Sequence, residues 1–343
     1  MLNSIQILRA IAAWMVVFYH VMQIYFNFHG AGWLSFFFSK YGAIGVDIFF
    51  VISGFVIYSA TTGKNTSPAR FMVNRLIRIV PAYWMFTLLS ASLIYNYNEL
   101  MPLTRFELGF LMNSLLFIPS MNPSGIGLYP LLAVGWTLNY EMAFYLVFGF
   151  ALLASERYRL LCVVVGIVVL QTLLPKFGGG FTFYGEKFVY EFLFGVLIFV
   201  LHDKGWLKKI NFPLAVTIFC IAIAVISTKK GLPPDGWLHT GNYLYTIGIP
   251  CAVIVAAVIS QETHLPDSNL LVQMGNWSYA TYLSHVIVLS AAYKATQVWQ
   301  INQFVSISMA CVAILAISYL SFVFVERKAS LYLKKKLAAV ESK

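Results

Sequence analysis

Apolar runs about as long as a bilayer is thick recur along almost the whole of this 343-residue chain. A helix crossing the hydrocarbon core needs about 20 predominantly apolar residues. Ten segments meet that description: roughly 5–27, 41–60, 80–97, 130–153, 160–175, 186–201, 212–228, 242–260, 275–297 and 303–325. In lipid the backbone must satisfy its own hydrogen bonds, so such runs fold as helices. Composition agrees, with 60% apolar residues, 10% charged and a mean hydropathy of +0.77. A soluble domain carries roughly a quarter charged residues. The expected fold is therefore all-α: a polytopic membrane protein of about ten transmembrane helices. Segment 105–118 (RFELGFLMNSLLFI) is too short to span and is expected to form a short interfacial helix before the fourth span.

The distribution of Lys and Arg orients the bundle. With the N-terminus inside, 16 of the 23 basic residues fall on the inner side, Arg70, Arg75, Arg78 and the C-terminal run among them. The positive-inside rule then places both termini in the cytoplasm, in a multi-pass protein of the cytoplasmic (inner) membrane. The first run carries Arg9 and His20 and has no A-x-A cleavage site after it, so it reads as a retained helix. Residues 1–326 read as one integral membrane domain and 327–343 as a basic cytoplasmic tail, a surface-bound helix or a solvated charge run. Gly178-Gly179-Gly180 and Pro233-Pro234 mark loops. The net charge of +10 speaks to orientation and anionic lipid heads, and no nucleic acid is expected as a partner. Lipid-facing and partner-facing apolar surfaces look alike in sequence, so no oligomeric state is assigned.

Several absences narrow the chemistry. Cys162, Cys220, Cys251 and Cys311 sit singly in apolar runs and read as small buried apolar residues. No HExxH, Walker loop, GxGxxG or GxSxG occurs, and no metal site is expected.

Ionisable residues inside a membrane are costly, so each is a candidate for function. Arg9 and His20 are eleven residues apart, about three helical turns, and so share one stripe about 16 Å long. Histidine is the commonest general acid or base. Asp47 lies in GAIGVDIFFVISG, an apolar stretch with Ser53-Gly54 close behind. Gly45 and Gly54 suit close helix packing or exposure of backbone to a ligand. Arg75 and Arg78, at i and i+3, share a helix face with spacing suited to phosphate, although an ordinary positive-inside cluster would look the same. Glu141 lies deep in the fourth span among Trp136, Asn139, Tyr140 and Tyr145, with Glu191 similar on the sixth. Ser278, Tyr282 and His285 fall on one face of the ninth span, where a hydrogen-bonded core histidine is the competing reading.

These segments in this order resemble the acyltransferase-3 family of integral membrane acyltransferases. The resemblance rests on ILRAIAAWMVVFYH, GVDIFFVISGFVI, RFMVNRLIRIVPAYW, GWTLNYEMAFY, WSYATYLSHV and VERKAS, and covers nearly the whole chain. Its stand-alone size is similar to the bacterial exopolysaccharide O-acetyltransferase branch. Ala329 stands where many relatives have proline, a departure that touches only the span end.

The resemblance implies transfer of an acyl group, usually acetyl from acetyl-CoA, to a saccharide hydroxyl. Acyl-CoA is then a co-substrate rather than a cofactor, and the partners are a saccharide or lipid-linked glycan acceptor and the lipid bilayer. Set against that chemistry, the residues suggest roles. His20 is the base, with Asp47 or Glu141 orienting it or stabilising its imidazolium. Arg9, Arg75 and Arg78 bind the donor. Ser53 and nearby backbone amides stabilise the oxyanion. Trp136, Tyr145, Tyr282 and His285 line the acceptor route. The alternative is a transporter or flippase for a small anion or lipid-linked sugar, which would also have ten spans and buried charges.

Overall fold

The computed structural model describes residues 2–64, 66–100, 104–228, 242–266 and 270–333. All regular structure among the described residues is helical. In chain order the helices are α1 (Asn3–Phe26), α2 (Trp33–Tyr41), α3 (Ile44–Thr61), α4 (Pro68–Asn96), α5 (Leu108–Leu115), α6 (Trp136–Ala151), α7 (Glu156–Thr172), α8 (Val189–Asp203), α9 (Phe212–Ser227), α10 (Ile249–Ser260), α11 (Leu270–Trp299) and α12 (Gln303–Ser321). A π-helical stretch, Leu244–Gly248, leads into α10, and another, Phe322–Ala329, follows α12.

Every one of the ten apolar segments is helical over most of its length. Five helical stretches are long and apolar enough to cross a membrane: Asn3–Phe26, Ile44–Thr61, Pro68–Asn96, Glu156–Phe177 and Gln303–Leu333. Phe212–Ser227 and Leu244–Ser260 are apolar but shorter. The expected interfacial segment contains α5. The Pro233-Pro234 loop and residues 334–343 of the basic tail lie outside the described residues.

Two boundaries differ from the sequence expectation. Helix α4 starts at Pro68, twelve residues before the expected span, so Arg70, Arg75 and Arg78 lie within it. The Ser67 hydroxyl accepts from the Arg70 amide at 3.3 Å and caps that start, with Pro68 at the first helical position. Helix α2 lies almost wholly between the first two expected spans, and its last residue, Tyr41, opens the second. Gly42 and Ala43 keep right-handed helical backbone between α2 and α3, so the chain turns there without a break of several residues.

The chain divides into two compact units, each built from two stretches: Met1–Asn65 with Glu186–Ser278, and Thr66–Gly185 with Tyr279–Lys343. Helix α11 gives its first turns to unit 1 and the remainder to unit 2.

In unit 1, glycines bring helices to backbone contact. A Cβ on Gly45 would sit 2.2 Å from the Ala12 carbonyl oxygen. On Gly54 it would sit 2.0 Å from the Phe192 carbonyl oxygen, and on Gly195 1.9 Å from that of Val51. Helix α3 is thus clamped against α1 on one side and α8 on the other, with Phe50 on Phe192 and Phe55 on Phe199 flanking the second seam. In unit 2, α4 packs on α6 through Phe71 and Phe148. The Tyr83 hydroxyl and the Trp84 indole N–H donate to the carbonyls of Ser114 and Leu115, each at 2.9 Å, tying the end of α5 to α4.

Large apolar side chains face outward on α7 (Leu161, Val165), α9 (Phe212, Ile221) and α12 (Phe304, Val312). Apolar faces of that extent suit lipid rather than water, and the chain is a multi-pass membrane protein. Of the cysteines, Cys251 is buried and Cys162 and Cys311 half-buried, while Cys220 is exposed on α9, contrary to expectation. Its helix is apolar all round, so the sequence gives no inward face.

Candidate active site

Unit 1 holds Arg9, His20, Asp47 and Ser53. The carbonyl of Val16, one turn back on α1, lies 2.9 Å from His20 Nδ1. A carbonyl only accepts, so Nδ1 carries the hydrogen and Nε2 is the nitrogen able to take a proton. The carbonyl thus does at Nδ1 what a carboxylate was expected to do. Asp47 is set lower by the packing register. Gly45 meets Ala12, and His20 stands eight residues beyond Ala12, about 12 Å along α1. Asp47 itself is buried and accepts a hydrogen bond from the Tyr243 hydroxyl.

Arg9 is buried and anchored. Its Nη1 donates to Gln6 Oε1 at 3.3 Å, and Gln6 Nε2 donates in turn to Asn276 Oδ1. Gly275 makes the approach possible, since a Cβ there would lie 2.1 Å from the Gln6 carbonyl oxygen. The start of α1 is closed by Glu262, whose carboxylate accepts from the amides of Asn3 (2.7 Å) and Ser4 (2.9 Å). A carboxylate there satisfies orphan donors and complements the helix dipole.

Ser53 is half-buried in the interior of α3. Backbone amides there are spent on the helix, and Gly54 is covered by Phe192. The backbone amides near Ser53, expected as oxyanion donors, are thus engaged within α3. The glycines serve packing.

Unit 2 holds the remaining candidates. The Tyr145 hydroxyl donates to Glu141 Oε1, one turn away on α6. The Arg75 guanidinium lies over the Phe71 ring at 5.5 Å, and the Phe71 and Tyr145 rings meet edge to face at 6.2 Å. Glu141, Tyr145 and Arg78 stand within electrostatic reach of Arg75, so these four form one cluster. Arg75 Nε is buried without a hydrogen-bond acceptor. A guanidinium donor held dry in this way suits a multivalent anionic ligand.

Tyr282 donates to the Val134 carbonyl at 2.9 Å and receives the Thr137 hydroxyl at 3.1 Å, so it braces the start of α6 on either side of Trp136. Trp136 meets Tyr129 and Tyr140 edge to face. The His285 ring lies 5.8 Å from that of Tyr282, with Nδ1 3.2 Å from the Thr281 carbonyl. His285 is fully buried. Tyr145, expected on the acceptor route, bonds Glu141 and meets the Phe71 ring.

Gln6, Asn276, Glu262 and Tyr243 were not singled out from sequence. Gln6 at i−3 from Arg9, in an apolar stripe, was the available signal. The other three bind across long sequence separations and leave no local trace. Among the described residues no group of three or more His, Cys, Asp or Glu could hold a metal ion.

Comparison with known proteins adds the chemistry. The acyltransferase domain of the acyltransferase-3 family matches residues 2–324. The exopolysaccharide production protein ExoZ of Rhizobium meliloti is 33% identical over 264 residues, 74% of this chain and 78% of ExoZ. The acyltransferase MdmB of Streptomyces mycarofaciens is 24% identical, covering 85% and 80%. The peptidoglycan O-acetyltransferase OatA of Listeria monocytogenes is 25% identical over 94% of this chain but only 55% of OatA. No solved structure matches the chain.

Proposed function

The chain belongs to the acyltransferase-3 family of membrane acyltransferases, and from that premise we propose that it moves an acetyl group from cytosolic acetyl-CoA to a hydroxyl of an envelope or exported saccharide. It is an O-acyltransferase, which sets the transporter reading aside. The saccharide acceptor is suggested by the names of ExoZ and OatA. The ten helical segments cross the cytoplasmic membrane with both termini inside, and α5 lies in the interface; the surplus of Lys and Arg on that side supports this topology.

The observation that carries the mechanism is the His20 tautomer. With Nδ1–H committed to the Val16 carbonyl, Nε2 is basic. His20 takes the proton of the acceptor hydroxyl as its oxygen attacks the thioester carbonyl. The oxyanion collapses, the C–S bond breaks, and the imidazolium returns the proton to the CoA thiolate. Ester and free thiol result, and His20 ends neutral. An acetyl-His20 intermediate is the two-step variant. Asp47, set lower along α1, acts on the imidazolium charge through the field rather than by contact; Ser53, two turns farther along α3, lies too far from His20 to touch the oxyanion.

In unit 2, Arg75 and Arg78 hold phosphates of the donor; Arg9, in unit 1, is given a donor-binding part from its sequence position alone. Glu141, bonded by Tyr145, orients Arg75. Trp136, Tyr282 and His285 line the acceptor route, where aromatic faces suit sugar rings.

Purified protein in proteoliposomes, given acetyl-CoA and a lipid-linked glycan extract, should release free thiol in step with label entering glycan. Thiol release without glycan labelling would keep the donor and reject the acceptor. Neither event in a folded sample would reject acetyl-CoA as donor.

A further inference from the structure

Within unit 1, Asp47 on α3 and Glu191 on α8 are 1% and 0% exposed. Phe50, one turn beyond Asp47, packs on Phe188 and Phe192, so α3 sets Asp47 beside Glu191 on α8, and the two carboxyl groups interact electrostatically. Tyr243 donates its hydroxyl hydrogen to Asp47. Neither oxygen of Glu191 has a donor. The arm opposite is π-helical, Leu244–Gly248, a distortion of the kind enriched at functional sites. A Cβ on Gly248 would come 2.9 Å from Glu191 Oε1, so the backbone closes directly over the acid. Cys251, on α10, is the further titratable group beside the pair.

Two ionised carboxyl groups offer only acceptors to each other. Buried beside one another they would also repel in a medium that screens poorly. One proton removes both faults, because it converts one acceptor into a donor. Donor counting says where the proton resides. Asp47 already accepts from Tyr243, as a carboxylate does, whereas Glu191 has no donor to stabilise a charge.

We propose that Glu191 is held as a carboxylic acid donating its hydrogen to the Asp47 carboxylate, and that it is a positioning residue for the acyl transfer. This rests on the functional reading for Asp47's part in the reaction. Tyr243 and Glu191 grip Asp47 from two elements and fix its head group. Asp47 then keeps its negative charge, which acts through the field on the imidazolium formed farther along α1 at His20.

The test combines infrared spectroscopy with kinetics on the full chain in lipid nanodiscs. Wild type at neutral pH should show the carbonyl stretch of a protonated carboxylic acid, shifted down in D₂O, and Glu191→Gln should lack it. Glu191→Gln still donates a hydrogen, from its amide, so its kcat should stay within about threefold of wild type. Glu191→Leu donates none, so its kcat should fall about ten- to a hundredfold with KM for the donor unchanged. No such band in wild type, the band surviving Glu191→Gln, or Glu191→Gln as impaired as Glu191→Leu would each overturn the proposal. If Glu191→Leu does not fold, the band and the Glu191→Gln kinetics still decide. The band does not depend on turnover, so a wild type that shows it without acyl transfer would count against the functional reading alone.

Discussion

Tyr145 donates its hydroxyl hydrogen to Glu141 one turn back along α6, and both stand within the electrostatic reach of Arg75. If the donor phosphates bind this cluster, Tyr145→Phe should loosen Glu141 and raise KM for acetyl-CoA about three- to tenfold with little change in kcat. Arg75→Ala should raise it about ten- to a hundredfold, the worth of a charge-assisted hydrogen bond. Arg75→Lys should not restore it, because an ammonium lacks the planar fork. Initial-rate kinetics over a range of acetyl-CoA concentrations separates these outcomes.

Glu262 caps α1, the helix that carries both Arg9 and His20. Glu262→Ala should destabilise the protein by about 0.5–2 kcal/mol, the usual worth of a cap, seen as a lower thermal midpoint. Gln6→Ala frees Arg9 from Asn276 while sparing the cap. It should therefore raise KM for the donor at an almost unchanged midpoint.

Gly195 has its Cα against the Val51 carbonyl. A methyl group cannot fit there, since the obstruction is backbone rather than a movable side chain. Gly195→Ala should force α8 from α3 and cost about 1–3 kcal/mol or more, read as lost yield of monodisperse protein. Gly63, with φ +68° and nothing near its Cβ position, is a contrasting site where the strain is conformational only.

Much of this architecture was legible in sequence, because bilayer thickness and backbone hydrogen bonding permit few alternatives to apolar helices. Arg9, His20, Glu141 and Arg75 stood out for a related reason, since each is costly in lipid. The start of α4 was also written there, in Ser67-Pro68, but the apolar count outweighed the capping signal. The pairing of carboxylates was not legible. Sequence put forward Asp47 or Glu141 as the partner of His20, whereas Nδ1 meets a main-chain carbonyl one turn away, which every helix offers. Whether Gly54 faces ligand or a neighbouring helix depends on rotational setting, and an apolar helix of low amphipathicity does not encode that setting.

Glu99, just outside the third span, is bound by Lys294, which holds its carboxyl below the usual carboxylate range. A depressed folded-state value means stability present above the unfolded value, about 4.3, and lost as pH falls through the folded one. The carboxylate is fully exposed and screened by water, so the effect is small. Lys294→Ala should lower the midpoint slightly at pH 7 and leave it unchanged at pH 3, read from melts at the two pH values.

The central claim is that Nε2 of His20 is the base. The most direct measurement is transfer of label from acetyl-CoA to glycan in proteoliposomes, wild type beside His20→Ala. Labelled glycan and free CoA from wild type, with transfer nearly abolished in an equally folded His20→Ala, is the expected result. Transfer by His20→Ala at the wild-type rate would contradict it.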